Sequence, residues 1–580
     1  MDTIMSCTKG KRRDTREHLY ASDTATRLFM AFIEVLLLIA LLLFILCYNI
    51  NRILGLPPGP TPWPLLGNIP QLSATDTDKC IMGFKKKYGN VFTLWMPYPN
   101  VIIGEYEALK RTILRDGDAY AWRPNLFIMQ LLVQGNYGLV FEENEWYRSQ
   151  RRFTLHTLRN LGVGKAVLKD AISTLSHRIA DDLRRTNGEP IELKPYLTDV
   201  VGNMISQLTF GFLRDDNEIK RIQSLFSEVF DDFFDPKMLL LDVFPFLRHF
   251  DGVIGFGLKK LTQDNDLIFD FIRKQYEEHK KAINYDQEPM NYVDGYLHEL
   301  HRREKDGMQD EFTEKQATAA ILDLFGAGVE TTTTTLRFCF LYILNYPQIQ
   351  ERIHKEIDGN VGRERDVTMD DQRVLPYTCA FIQEVFRVGY ILYTNLPHMT
   401  AGMVNCEGYK LRKGTTIIPQ FQCVHMDESI YPRPELIIPE RHLKDGQFVK
   451  DDRITPFGMG RRSCLGESLA RMEVFMFFTS LMQKFRFEPD GLYPPEQVRH
   501  VQPKEIIVGS ERNEARCSCV SSCARSSELE IAVGLEVGPS RTTAIFGAPR
   551  KVPPRYKPQI PEPSSPPFPL PVPLRVQPLT

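Results

Sequence analysis

The chain has 580 residues, 43% of them hydrophobic and 25% charged, an ordinary globular balance with ample length for a sizeable core. Its net charge of −2 excludes a bulk electrostatic pull toward nucleic acid, and no nucleic-acid partner is expected. Eleven cysteines without pairing pattern or C-x-x-C spacing exclude a disulfide framework and read as reduced thiols facing the cytosol.

Residues 1–27 form a polar extension of mixed charge. Leu28 to Tyr48 then reads L-F-M-A-F-I-E-V-L-L-L-I-A-L-L-L-F-I-L-C-Y, with Glu34 as its one charge. At about 20 residues this run has the length of a membrane-spanning helix. A secretory signal peptide is the alternative, but no small-residue cleavage site follows and the run is too long. Six Lys or Arg precede the span and only Arg52 lies just beyond it, which by charge alone places the main domain in the lumen. A start at Met30 reverses that orientation, and residues 1–29 then read as an upstream extension. Residues 49–64 end in L-P-P-G-P-T-P-W-P, whose prolines stop the helix and stiffen the backbone into a hinge.

A globular domain is expected over residues 65–512. Asn90 to Ile103 has the pattern of a β-hairpin with Pro and Asn in its turn. From Tyr106 onward helical periods dominate, with short strand patterns at Thr415–Pro419 and Glu505–Val508. The fold class is therefore mainly α, an α+β domain rich in helix with small sheets. Glu145 to Arg159 (E-W-Y-R-S-Q-R-R-F-T-L-H-T-L-R) predicts a basic amphipathic helix, a pattern that usually means a solvated face. Met238 to Phe250 is apolar and is read equally as core or as a membrane-facing segment.

Lys315 to Tyr346 is the longest helical run, with F-G-A-G-V-E-T-T-T-T-T at its centre. Glycines and β-hydroxyl residues are poor helix formers, so their presence there asks for a functional reason. Gly326 and Gly328 are expected to admit a ligand to the backbone. Thr331 can bond a carbonyl one turn back and open the helical ladder, with Glu330 beside it as an acid. Glu384 and Arg387 share a helix face 80 residues before Cys464, and Arg441 follows in I-P-E-R-H.

Phe457 to Gly466 reads F-G-M-G-R-R-S-C-L-G. A thiolate at Cys464 is a soft, electron-donating ligand that suits iron. Gly458, Gly460 and Gly466 are expected to take backbone angles that other residues resist, so that the chain passes flat beneath a planar ligand. Arg462 can reach an anionic edge of that ligand. The helix predicted after Gly466 points its N-terminus at Cys464, which favours the thiolate. Residues 513–580 have disordered composition, with 12 prolines in the last 32 residues, and read as a tail dispensable for ligand binding.

The window F-x-x-G-x-R-x-C-x-G resembles the haem-binding loop of the cytochrome P450 superfamily. The resemblance covers roughly Pro57 to Arg512 and is nearest to animal microsomal family 2, on P-P-G-P, D-L-F-G-A-G and G-E-S-L-A-R-M-E. It implies haem b with Cys464 as axial ligand, and Phe457, Gly458, Arg462, Gly466 and Ala327 around it. It implies Arg151, His398 and Trp146 as contacts of the haem propionates. The usual spacing puts Trp four residues before Arg; here Tyr147 holds that place and Trp146 is five before Arg151. The resemblance further implies that Glu330 and Thr331 relay protons and that Glu384, Arg387 and Arg441 form a buried cluster, although the usual P-E-R-F is P-E-R-H here. Phe127, Ile128, Ala327, Ile391, Leu392 and Leu396 are the implied substrate pocket. The implied activity is monooxygenation of a fatty acid, steroid or xenobiotic. NADPH electrons would come through cytochrome P450 reductase, with cytochrome b5 as a further partner. The implied location is the endoplasmic reticulum membrane, with the domain on its cytosolic side. The rival expectations are an isomerase of fatty-acid peroxides and a haem sensor without catalysis.

Overall fold

The computed structural model describes residues 30–489, apart from 34, 44, 47–48, 51–53, 74–76, 97, 143–145, 163–165, 214–216, 309–310, 390 and 393–394, together with 574–578. Parts of the expected anchor, of the hairpin turn and of the tail, and the strand expected at Glu505–Val508, lie outside the described residues. Among the described residues no helix is long and apolar enough to cross a membrane.

The hairpin forms as β1 (Val91–Met96) and β2 (Tyr98–Ile103), antiparallel with Val91 opposite Ile103. The turn falls between Met96 and Tyr98, so Pro99 and Asn100 lie within β2 rather than in the turn. Two strands complete this sheet: β3 (His398–Met399) and β4 (Thr416–Pro419). β4 runs parallel to β2, and β3 pairs antiparallel on its far side. Both faces of the sheet are covered: Val101, Ile103 and Ile417 pack on one side, and Phe92, Leu94, Ile102 and Ile418 on the other, all buried.

The helices that matter for the site are α1 (Phe127–Leu132), α2 (Trp146–Asn160), α3 (Lys194–Phe210), α4 (Asn217–Phe234), α5 (Pro236–Val243), α6 (Glu314–Asn345), α7 (Pro376–Val388) and α8 (Glu467–Lys484). α6 is 32 residues long and starts at Thr313, whose side chain accepts the Gln316 N–H. It packs against α3, α4 and α8 and is buried along most of its length. Here the glycine expectation needs correction. A Cβ on Gly328 would sit 2.6 Å from Ile205 of α3, and one on Gly326 would meet the Phe226 ring of α4 at 3.5 Å. Gly328 thus serves close helix packing, whereas the contact at Gly326 is an ordinary one that a methyl group would also make.

The apolar stretch over 238–250 divides between its two readings. Met238, Leu241 and Val243 are core, whereas Phe246 and Phe250 of the following 3-10 turn are exposed, as are Val253 and Ile254 beyond it.

Beyond α8 the chain forms β5 (Phe485–Pro489), which pairs antiparallel with β6 (Leu574–Pro578). Five residues of the expected tail are thus a strand, with Leu574 opposite Pro489 and Pro578 opposite Phe485. Backbone pairing with β5 is available to this segment whatever its composition, so composition alone misjudged it.

Candidate active site

The cysteine loop is shaped by its first two glycines. Gly458 and Gly460 have φ of 72° and 77°, in the left-handed region, and a Cβ on Gly460 would fall 2.0 Å from the Ile113 carbonyl oxygen. Gly466 does not share this role: its φ is −91°, which any residue adopts, and it caps α8. The loop closes on itself where the Cys464 N–H donates to the Phe457 carbonyl at 2.7 Å. The Phe457 ring packs edge-on against Phe386 of α7.

Cys464 keeps open surface although protein surrounds it. That burial pushes the thiol pKa up, while N–H groups of Gly466 and Glu467 at the start of α8, and the charge of Arg151, act the other way. A second open surface is set into α6. Ala327 is exposed in the middle of an otherwise buried helix, and Thr331, one turn on, is half-buried. The Thr331 hydroxyl donates to the Ala327 carbonyl at 2.6 Å, the bond expected from its position.

The acid expected beside it faces elsewhere. Glu330 is buried, its carboxylate is hydrogen-bonded to the Ser227 hydroxyl of α4, and its charge acts on the buried Arg337. Adjacent positions on a helix lie about 100° apart, so Thr331 and Glu330 belong to different faces.

Three arginines meet near the cysteine loop. Arg462 donates to the carbonyls of Ala121 at 2.8 Å, Leu139 at 3.3 Å and Glu142. Arg151 donates to the Ser463 carbonyl at 2.6 Å. Arg123, which the sequence reading passed over, donates to the carbonyls of Val140, Leu396 and Pro397. Burial lowers the pKa of all three, that of Arg462 to about 10, and Arg123 is further lowered by the other two. The charge of the buried Glu142 acts on Arg462 against the effect of burial, one carboxylate beside three neighbouring cations. Mutually repelling cations withdrawn from water favour a further anion.

His398 lies beside this cluster, its Nδ1 at 2.7 Å from the Tyr120 carbonyl. Burial and then Arg123 push its pKa down to about 3, so it is neutral here; an anion among these groups would favour its charged form. Trp146 is 46% exposed. Tyr147 is turned inward, at 3% exposure, with the Arg462 guanidinium 3.5 Å from its ring centre and no partner for its hydroxyl among the described residues. The one-residue offset in the sequence is explained by which side chain the helix turns inward.

The loop at 138–142 holds the arginines in place. Its carbonyls receive Arg462 and Arg123, while its N–H groups are fixed by α6: Leu139 and Val140 donate to Asp323, and Gly138 to Gln316. Burial pushes the Asp323 pKa up to about 6 against the pull of those two N–H groups.

Glu384, Arg387, Arg441 and His442 meet in one cluster. Glu384 receives Arg387 at 2.7 and 2.9 Å, Arg441 at 3.0 Å and also His442 at 2.7 Å. Of the expected pocket, Ile128 is buried, Ala327 is exposed, and Phe127, Ile391, Leu392 and Leu396 are half-buried. Arg248 lies 3.6 Å from the Phe127 ring centre.

These residues fit a haem. The Cys464 sulfur sits at a helix N-terminus and keeps open surface, and three neighbouring arginines, with Glu142 acting on one of them, suit an anionic edge. The family model for cytochrome P450 matches residues 57–513. The chain is 47% identical over 488 residues to "Probable cytochrome P450 CYP36A1" of Caenorhabditis elegans, covering 83% of this chain and 98% of the relative. It is 35% identical to "Cytochrome P450 2C5" of Oryctolagus cuniculus, over 75% of this chain and 88% of the relative. With "Cytochrome P450 2D10" of Mus musculus the identity is 35%, over 76% and 88%. The chain belongs to the cytochrome P450 family and is a haem-thiolate monooxygenase of that family.

Proposed function

We propose that the protein oxygenates a lipophilic small molecule at a haem held by Cys464, using NADPH electrons passed through a flavoprotein reductase. Bound there, the haem would activate dioxygen, sending one oxygen atom to the substrate and one to water. Arg123, Arg151, Arg462 and His398, with the Tyr147 hydroxyl, would hold the propionates. Apolar side chains at Phe127, Ile128, Ala327, Ile391, Leu392 and Leu396 would exclude water and favour a fatty acid, a steroid or a lipophilic foreign compound. Arg148, Arg152 and Arg159 on the outer face of α2 would dock the acidic reductase, or cytochrome b5, in a salt-sensitive contact. Residues 28–48 would anchor the chain in the endoplasmic reticulum membrane, with the domain on the cytosolic side and the exposed Phe246 and Phe250 touching lipid.

The observation that carries the proton-handling part is Thr331, whose hydroxyl stands on the open face of α6 and bonds the Ala327 carbonyl. It would orient the proton donor, while Glu330, turned toward Ser227, would supply protons after leaving that contact. The test is Thr331→Ala assayed with reductase and NADPH. NADPH consumption should continue while product per NADPH falls and hydrogen peroxide rises. A positioned proton-transfer group contributes about 10²–10⁴-fold, which bounds the loss. Unchanged coupling would remove the role and favour an isomerase of fatty-acid peroxides, whose turnover needs no NADPH.

A further inference from the structure

The Glu384–Arg387 pair of the buried cluster lies on α7, and the cysteine loop is a separate segment of chain. One residue bonds to both. The Arg387 Nη1 donates to the backbone carbonyl of His425 at 2.8 Å. The ring of the same histidine accepts the Thr455 N–H at Nε2, at 2.9 Å. Thr455 in turn accepts the Gly458 N–H on its carbonyl at 3.0 Å, at the first left-handed turn of the loop. The Phe457 carbonyl then receives the Cys464 N–H. A continuous path of hydrogen bonds thus runs from Glu384 through Arg387, His425 and Thr455 to the cysteine loop.

We propose that His425 is a positioning residue for Cys464, transferring the fixed geometry of the Glu384–Arg387 pair to the start of the cysteine loop. The histidine is suited to this. It is 1% exposed, and its own N–H is tied to the Phe421 carbonyl at 3.0 Å. Its Nε2 must be unprotonated to accept from Thr455, which assigns the ring proton of the neutral form to Nδ1. Burial, and then the Arg387 charge, keep the ring neutral against the opposing Arg453 carbonyl, Asp451 and Glu384. Direct hydrogen-bond partners of a metal ligand typically affect metal affinity or activity by about 10–100-fold; His425 acts through Thr455 and the Gly458 turn, so the low end of that range is expected.

The inference rests on Cys464 being the haem ligand, and the experiment separates the two ideas. His425→Gln offers a carbonyl oxygen near the Nε2 position; His425→Asn is too short to reach Thr455, and His425→Leu fills the space without an acceptor. Each is purified with haem bound. The share of reduced, carbon monoxide-bound protein with the thiolate-type red-shifted band is measured, with haem loss to excess apomyoglobin. The Leu and Asn variants should lose much of that band and release haem about 10-fold faster, while Gln retains the parent behaviour. If His425→Leu does not accumulate, the Gln–Asn pair makes the same comparison. Equal bands in all three variants would overturn the proposal, as would a Gln variant no better than Asn. Cys464→Ser in the same assay checks the premise: retention of the band there would overturn the ligand assignment instead.

Discussion

His442 stands where the sequence reads P-E-R-H, and its imidazole meets a carboxylate that already has two arginines. Burial pushes the Glu384 pKa up, but hydrogen bonds from Arg387 and His442 outweigh it and hold the carboxyl down at about 2. A carboxyl depressed below its unfolded value contributes stability that is present above about pH 4.5 and is lost as pH falls through about 2. His442→Phe keeps a ring of similar bulk and removes the bond at 2.7 Å, leaving the other bonds to Glu384 in place. Denaturant unfolding at neutral pH should show a loss of about 1–3 kcal/mol; an unchanged midpoint would show that the arginines alone satisfy Glu384. Glu384 and Arg387 share a helix face by spacing, a weak signal alone; it was the family resemblance that joined them with Arg441. His442 was visible only as a departure from P-E-R-F, because its meaning depends on a partner 58 residues away.

At the scale of elements, the long helix, the hairpin and the helix after the cysteine were readable because their patterns are local. The clamp at residues 138–142 was not. Nothing in the run D-L-F-G-A-G signals that Asp323 will receive the N–H groups of Leu139 and Val140, a pairing across more than 180 residues. Arg123 was missed for the same reason: its partners are backbone carbonyls, which every sequence has. The glycines were noticed, but a close approach to Ile205 and an approach to a ligand leave the same mark in sequence. Asp323 supplies an experiment of its own. Its folded pKa, raised to about 6, lies above the unfolded value, so folding is favoured by its protonated form and that contribution is lost as pH rises through about 6. Asp323→Asn keeps a carbonyl acceptor for the loop and cannot ionise. Unfolding midpoints measured between about pH 4 and pH 8 should decline less in the variant, with the difference building between about pH 4 and pH 6 and staying constant above that. Parallel curves for the two proteins would show that Asp323 stays ionised throughout.

At the scale of the whole molecule, β6 changes what the end of the chain means. Residues 513–580 read as a tail from composition, yet Leu574–Pro578 pairs along the full length of β5, directly after α8. Removing residues 574–580 would leave the N–H and C=O groups on that edge of β5 without their partners. The truncated protein should unfold several degrees lower while keeping its haem spectrum, because Cys464 and its loop lie on the other end of α8. An unchanged melting temperature would show that the pairing contributes nothing.

The same geography frames the central claim. Helix α8 presents its N-terminus to Cys464, the Gly458–Gly460 turns shape the loop, and the buried Arg123 and Arg462 with the half-buried Arg151 stand where an anionic, planar group would lie. All of this predicts one ligand atom, the sulfur of Cys464. Cys464→Ser replaces it with a hydroxyl that stays protonated at neutral pH and forms no comparable bond to iron. The absorption spectrum of the reduced, carbon monoxide-bound protein should show the thiolate-type red-shifted band in the parent and lose it in the variant; the same band in Cys464→Ser would contradict the account.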